Sequence, residues 1–113
     1  MKHHLYLQIA SKLRTNILRG DYAPEQQIPS IRRLAENEKC NPATVQKAMK
    51  VLEEQNLIIS CGTLGFFVIE SEQKIKELRY QEANKLVKIL FEKLGELGFS
   101  EDEIVNLFFR KDA

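Results

Sequence analysis

The chain has 113 residues, 43% of them hydrophobic, and a formal net charge of +1. That length suffices for one compact domain with an appendage and excludes two full domains. No window approaches the roughly 18–20 consecutive apolar residues of a membrane span, and MKHHLYLQ lacks the apolar core of a secretory signal, so a cytoplasmic protein without a membrane partner is expected. Cys40 and Cys61 lie far apart, without CxxC spacing or histidine pairs beside them, which argues against a zinc site or a disulfide framework. Reduced, semi-buried thiols are expected, His3 and His4 read as an N-terminal pair, and no metal or cofactor is expected. Charge is uneven along the chain: residues 1–69 carry nine Lys and Arg against six Asp and Glu, a net of +3, and residues 70–113 carry eight against ten, a net of −2.

Tyr6, Ile9, Ala10, Leu13 and Ile17 recur at spacings of three and four, which predicts an amphipathic helix from about residue 4 to 19, ended by Gly20. The loop DYAPEQQIPS supplies the turn chemistry that redirects the chain. Pro29 and Ser30 open a second helix, with Ser30 able to cap free amides and Ile31, Leu34 and Ala35 on one face. Arg32 and Arg33 cannot both point into the core, and a solvated surface accounts for either. Asn41 followed by Pro42 starts a third helix, because Asn accepts an orphan amide hydrogen and Pro at the first position sacrifices no bond. Within it Val45, Ala48, Met49 and Leu52 form the inward stripe, leaving Ala43, Thr44, Gln46, Lys47 and Lys50 outward.

The runs at 57–59 and 66–69 are apolar and β-prone, and SCGTLG between them carries Gly62 and Gly65, which predicts a β-hairpin with Phe67 and Val68 in its core. Two short capped helices followed by such a hairpin read as a winged helix-turn-helix, a fold that reads DNA. Outward residues near the start of a recognition helix approach base edges, and its free amides favour phosphate. Gln46 suits adenine, Ala43 or the Thr44 methyl suits thymine, and Lys47 and Lys50 suit phosphates. Ser30 and Asn41, at the two helix starts, complete the expected contact set on this unit.

From about Glu72 to Leu97 a long helix is predicted, with Tyr80, Ala83, Val87, Leu90, Leu94 and Leu97 as a heptad seam. Ser100 and Glu103 form a capping box for a last short helix bearing Ile104, Val105, Leu107, Phe108 and Phe109. Two such helices cannot build an independent core in water, so a second copy of the chain is expected to cover the seam together with Ile104, Leu107 and Phe108. Packing of the tail on its own winged helix is the alternative. The expected fold is mainly α with a small β-hairpin: residues 1–69 as a winged helix-turn-helix and residues 70–113 as a helical dimerisation segment.

The segments IPSIRRLA, NPATV, AMKVLEEQNLI and GTLGFFV, preceded by YLQIASKLRTNILRG, resemble the DNA-binding domain of the GntR family of bacterial transcription regulators over about residues 5 to 69. The resemblance implies that Arg32 reaches DNA, much more than Arg33. It also implies that the wing tip approaches the minor groove or its phosphates. Similar proteins commonly carry Arg or Lys at the position of Cys61, so Gly62 and Thr63 are left to contribute backbone or hydroxyl contacts. They also usually carry Pro-Gly at Pro24 and Glu25, so Glu25 should cost about 1 kcal/mol if its backbone needs positive φ. A redox role for Cys61, as an exposed thiol near DNA, is a minor alternative. The short tail resembles the YtrA-like branch, in which two C-terminal helices mediate dimerisation and no separate effector domain follows.

The expectation is therefore a homodimeric, sequence-specific regulator that binds double-stranded operator DNA with palindromic symmetry, most simply as a repressor. An effector is left unnamed; a small molecule would bind at the dimer interface or between tail and winged helix. The competing reading is a winged-helix module for protein contact with incidental DNA affinity. An enzyme is disfavoured by the lack of a phosphate loop, nucleophile motif or metal constellation.

Overall fold

The computed structural model describes residues 5–110, so His3 and His4 lie outside the described residues. In chain order the elements are α1 (Leu5–Arg19), α2 (Ile31–Glu38), α3 (Pro42–Glu54), β1 (Ile58–Ser60), β2 (Phe66–Val68), α4 (Glu72–Glu96) and α5 (Glu101–Leu107), with a single 3₁₀ turn at Gly62–Leu64 between the strands. The chain is mainly helical with one antiparallel hairpin, as expected. It divides into two compact units, the first ending at Glu77 and the second beginning at Leu78. That division falls inside α4 rather than after residue 69, and Ile75, in the second turn of α4, is buried.

In the first unit α3 is the central element, packed by α1, α2 and β1. Its stripe of Val45, Ala48, Met49 and Leu52 is fully buried, and Ile9, Ala10, Leu13 and Ile17 of α1 are buried with it. Each large side chain of this kind contributes about 1.5–3 kcal/mol when withdrawn from water, which makes the α1–α3 packing the main source of stability here. Polar bonds tie the helices at their edges: Lys12 Nζ donates to Glu38 Oε2 at 3.0 Å, and Arg14 Nη1 donates to Gln55 Oε1 at 2.9 Å.

The exit from α1 uses a glycine where the backbone requires one. Gly20 has φ +93°, and its amide bonds to the Asn16 and Ile17 carbonyls, which closes the helix. Just beyond, Arg19 Nε donates to Asp21 Oδ2 at 3.0 Å; this hydrogen bond holds the Asp21 carboxyl below its ordinary pKa. Glu25 has φ +67°, so the departure noted at this position does carry left-handed backbone. A side chain there is strained by about 1–2 kcal/mol, partly offset because glycine loses more freedom on folding. Glu25→Gly is therefore expected to stabilise the protein by about 0.5–1 kcal/mol, read as a higher urea midpoint at unchanged slope; an unchanged or lower midpoint would show the strain to be relieved locally.

The loop before α2 does more than turn. The Glu25 amide bonds to the Val68 carbonyl at 3.1 Å, the Val68 amide to the Gln26 carbonyl at 2.9 Å, and the Ile28 amide to the Phe66 carbonyl at 2.9 Å. Gln27 bridges Phe67, so residues 25–28 lie along β2 as a third, edge segment. The hairpin register pairs Ile58 with Val68, Ile59 with Phe67 and Ser60 with Phe66. Ile58 and Val68 are buried, as is Ile28. Phe67, expected in the hairpin core beside Val68, is half-buried and belongs to the opposite face, because neighbouring strand residues point to opposite sides.

In the second unit the turn beyond α4 passes through Gly98, whose φ is +95°. The capping box is formed in both directions: the Ser100 amide donates to Glu103 Oε1 at 2.9 Å and the Glu103 amide donates to Ser100 Oγ at 3.2 Å. Ile104 is only 2% exposed within one chain, which corrects its place among the partner-facing residues: it has almost no surface left to offer a second copy. Leu94 and Leu107 are half-buried, while Tyr80, Ala83, Val87, Leu90, Leu97 and Phe108 stand exposed. Leu86 and Ile89, outside the expected seam, are exposed as well.

Candidate nucleic-acid interface

Both helices of the helix-turn-helix begin on a side-chain cap. Ser30 Oγ accepts the Arg33 amide at 3.1 Å, and Asn41 Oδ1 accepts the Ala43 amide at 2.9 Å. These oxygens are thus engaged in helix starts; what remains for a nucleic acid is the Ser30 hydroxyl hydrogen and the Asn41 side-chain NH₂, both donors suited to phosphate. The turn between the helices is made by Lys39, with φ +54°, whose amide closes α2 on the Glu36 carbonyl. Nothing in the sequence marked Lys39 for this conformation, since Gly or Asn is the usual residue there.

The structure places the outward residues of α3 on one solvent face. Ala43, Gln46, Lys47 and Lys50 are exposed and Thr44 is half-buried, while the residues between them form the buried stripe. Arg32 and Arg33, on α2, are also exposed. The Arg32 guanidinium makes no hydrogen bond or ion pair among the described residues. Lys47 Nζ sits over the Tyr6 ring, 5.8 Å from its centroid, so the start of α1 reaches the same face. Tyr6 was read only as part of the α1 stripe. Its half-buried ring restrains a lysine whose charge stays in water.

The wing tip is built around the 3₁₀ turn. The Cys61 amide bonds to the Gly65 carbonyl at 2.8 Å, and Gly62 and Gly65 take φ of +61° and +104°. Gly62 and Thr63 are exposed and Cys61 is half-buried. Gln27 Nε2 donates to the Leu64 carbonyl at 2.6 Å, tying the tip to the edge segment before α2. Nothing local in the sequence marks Gln27 for this contact, because its partner is 37 residues away. Both cysteines are free thiols. Among the described residues no group of His, Cys, Asp and Glu is arranged to hold a metal ion, and no helix is long and apolar enough to cross a membrane.

The site therefore presents a capped helix-turn-helix, a polar and basic outer face on its second helix, and a glycine-turned hairpin beside it. The family model for bacterial regulatory proteins of the gntR family matches residues 5–68. The chain is 34% identical over 67 residues to the HTH-type transcriptional repressor YtrA of Bacillus subtilis, a match spanning 59% of this chain and 52% of that protein. A GntR family transcriptional regulator from Listeria monocytogenes has a similar solved structure, with a TM-score of 0.87, 27% identity and coverage of 96% of this chain and 95% of that one. The DNA-binding domain of AraR, solved in complex with operator ORX1, is 30% identical with a TM-score of 0.55, covering 56% of this chain and 76% of that one. These relatives are regulators of transcription rather than enzymes. A family match across more than half of the residues, on the elements just described, places the chain in the gntR family of bacterial regulatory proteins.

Proposed function

We propose that this protein is a homodimeric repressor that recognises a palindromic operator with α3 and occludes the promoter beneath it. The observation that carries the reading is the division of α3 into a fully buried stripe and an outer face of Ala43, Thr44, Gln46, Lys47 and Lys50. A face meant for protein contact would offer aromatic or aliphatic anchors; this one offers short hydrogen-bonding groups and cations. Gln46 reads a base edge, with Ala43 and the Thr44 methyl against thymine. Lys47 and Lys50, with Ser30, Asn41 and the tip residues Gly62 and Thr63, hold phosphates. The similarity to the AraR domain and to the repressor YtrA supports DNA as the partner.

Homodimerisation rests on α4, where Tyr80, Val87 and Leu90 are exposed, and on Leu97 just past its end. Two-fold symmetry then places two recognition helices for half-sites about one helical turn of DNA apart. The test is binding of the purified protein to the DNA upstream of its own gene and to a scrambled fragment, across a salt series. Tight binding to the matched fragment, with log affinity falling linearly in log salt, is the expected result. Equal, weak binding to both fragments would remove sequence reading at this locus.

A further inference from the structure

We propose that the outer face of the wing is a binding site for a lipophilic organic cation. A groove of about 500 Å³ lies there, lined by Ile59, Leu64, Phe67 and Ile69 together with Cys61, Glu25 and Glu70. That volume is within the range of about 300–1,000 Å³ usual for small-molecule sites. The solvent side of an antiparallel hairpin is ordinarily polar, yet here Ile59 is 51% exposed and Leu64 67% exposed. The register explains how the face arises: Ile59 is paired with Phe67, one step out of phase with the buried pair Ile58 and Val68.

The charge of the groove selects the occupant. Two of the residues lining it, Glu25 and Glu70, are acidic and exposed, and none is basic. Neither carboxylate has an ion-pair partner among the described residues. An apolar wall carrying an aromatic ring and two free carboxylates favours a cation with an apolar body, through burial, Coulomb attraction and the ring face of Phe67. It disfavours anions of the same shape. Glu25 holds its carboxylate here on left-handed backbone, with φ +67°.

The site lies wholly in the first unit, unlike the effector positions expected between tail and winged helix or at a dimer interface. Cys61 precedes the 3₁₀ turn of the tip, Leu64 ends it, and both line the groove, so an occupant there perturbs the wing. That consequence, a loss of operator affinity on binding, rests on the DNA-binding reading above; the binding itself does not.

The probe is tetraphenylphosphonium, with tetraphenylborate as an anion of the same shape, each titrated without DNA into the isotope-labelled full chain and followed by amide chemical shifts. The expected result is saturable shifts centred on Ile59, Leu64 and Phe67 for the cation only, with the dissociation constant raised about three- to tenfold in a Glu25→Gln, Glu70→Gln double variant. Glu25→Gly removes one carboxylate while relieving its backbone, so a weakened cation in that variant excludes misfolding as the cause. Equal binding of the anion, shifts confined to the α4 and α5 residues, or no saturable shift would each overturn the proposal. Wing shifts that change with protein concentration alone would overturn it in favour of a second copy of the chain. Operator binding with and without the cation is measured separately: a protein that never binds DNA refutes the regulatory reading and leaves the titration to judge the site.

Discussion

Arg32→Ala is expected to lower affinity for a matched operator about 10- to 100-fold while leaving the fold intact. Arg32 is exposed on the first turn of α2, and its guanidinium has no protein partner among the described residues. Its removal therefore withdraws no internal hydrogen bond or ion pair, and little change in urea midpoint should accompany the loss. A charge-assisted or bidentate bond to nucleic acid is worth about 1–3 kcal/mol, which sets the magnitude. Arg33 provides the internal control, since it is also exposed and one residue away; its alanine variant should lose only a small, sequence-independent share of affinity. Arg32→Lys then separates two modes of contact. Lysine preserves a point-charge contact to phosphate and fails at a forked contact to guanine. Electrophoretic mobility shifts on matched and scrambled DNA read all three variants, and equal losses for Arg32 and Arg33 would remove the special role assigned to Arg32.

The second large effect belongs to the tail. A Val87→Asp, Leu90→Asp double variant should be monomeric at micromolar concentration, in contrast to a dimeric parent, and should lose most of its operator affinity with the second half-site. Both residues are exposed on α4 in the single chain, as is Tyr80 on the same helix and Leu97 just past its end. Burying side chains of this size in a partner is worth about 1.5–3 kcal/mol each, and introducing carboxylates there opposes association further. Ile104→Asp should behave differently: Ile104 is already buried within one chain, so that variant should unfold the tail and lower its helicity along with its association. Sedimentation velocity and circular dichroism together distinguish these outcomes. A parent that is monomeric across the accessible range would dispose of the dimer.

What could be read in the sequence follows from how local the governing interactions are. The helical stripes of α1 and α3 and the caps at Ser30, Asn41 and Ser100 depend on residues three or four apart, and these elements were legible. The outward set on α3 followed from the same periodicity. The edge segment at 25–28 escaped because its hydrogen bonds go to residues 66–68, and EQQI shows no alternation long enough to announce a strand. Phe67 was assigned to the core by its apolarity, yet in a strand it is register that decides the face, and register depended on the unseen pairing with Ile59. Ile104 was grouped with partner-facing residues because a short helix rich in large apolar side chains does not reveal from sequence which of them turns inward. Lys39 and Asn56 hold left-handed backbone; only Asn56 belongs to a residue type that favours it.

The hydrogen bonds between residues 25–28 and 66–68 also set an order of events for the folding chain. Helices α2 and α3 form from neighbours in sequence, whereas the wing is completed only when a loop of about forty residues has been closed, at an entropic cost that local contacts do not incur. An isolated two-stranded hairpin is marginal in water, so a peptide of residues 55–70 should remain unstructured. The wing should be the last part of the first unit to form and the first to open. The Ile28 and Val68 amides should then exchange faster than those of α3, and the onset of their protection during refolding times the moment at which the recognition unit is finished.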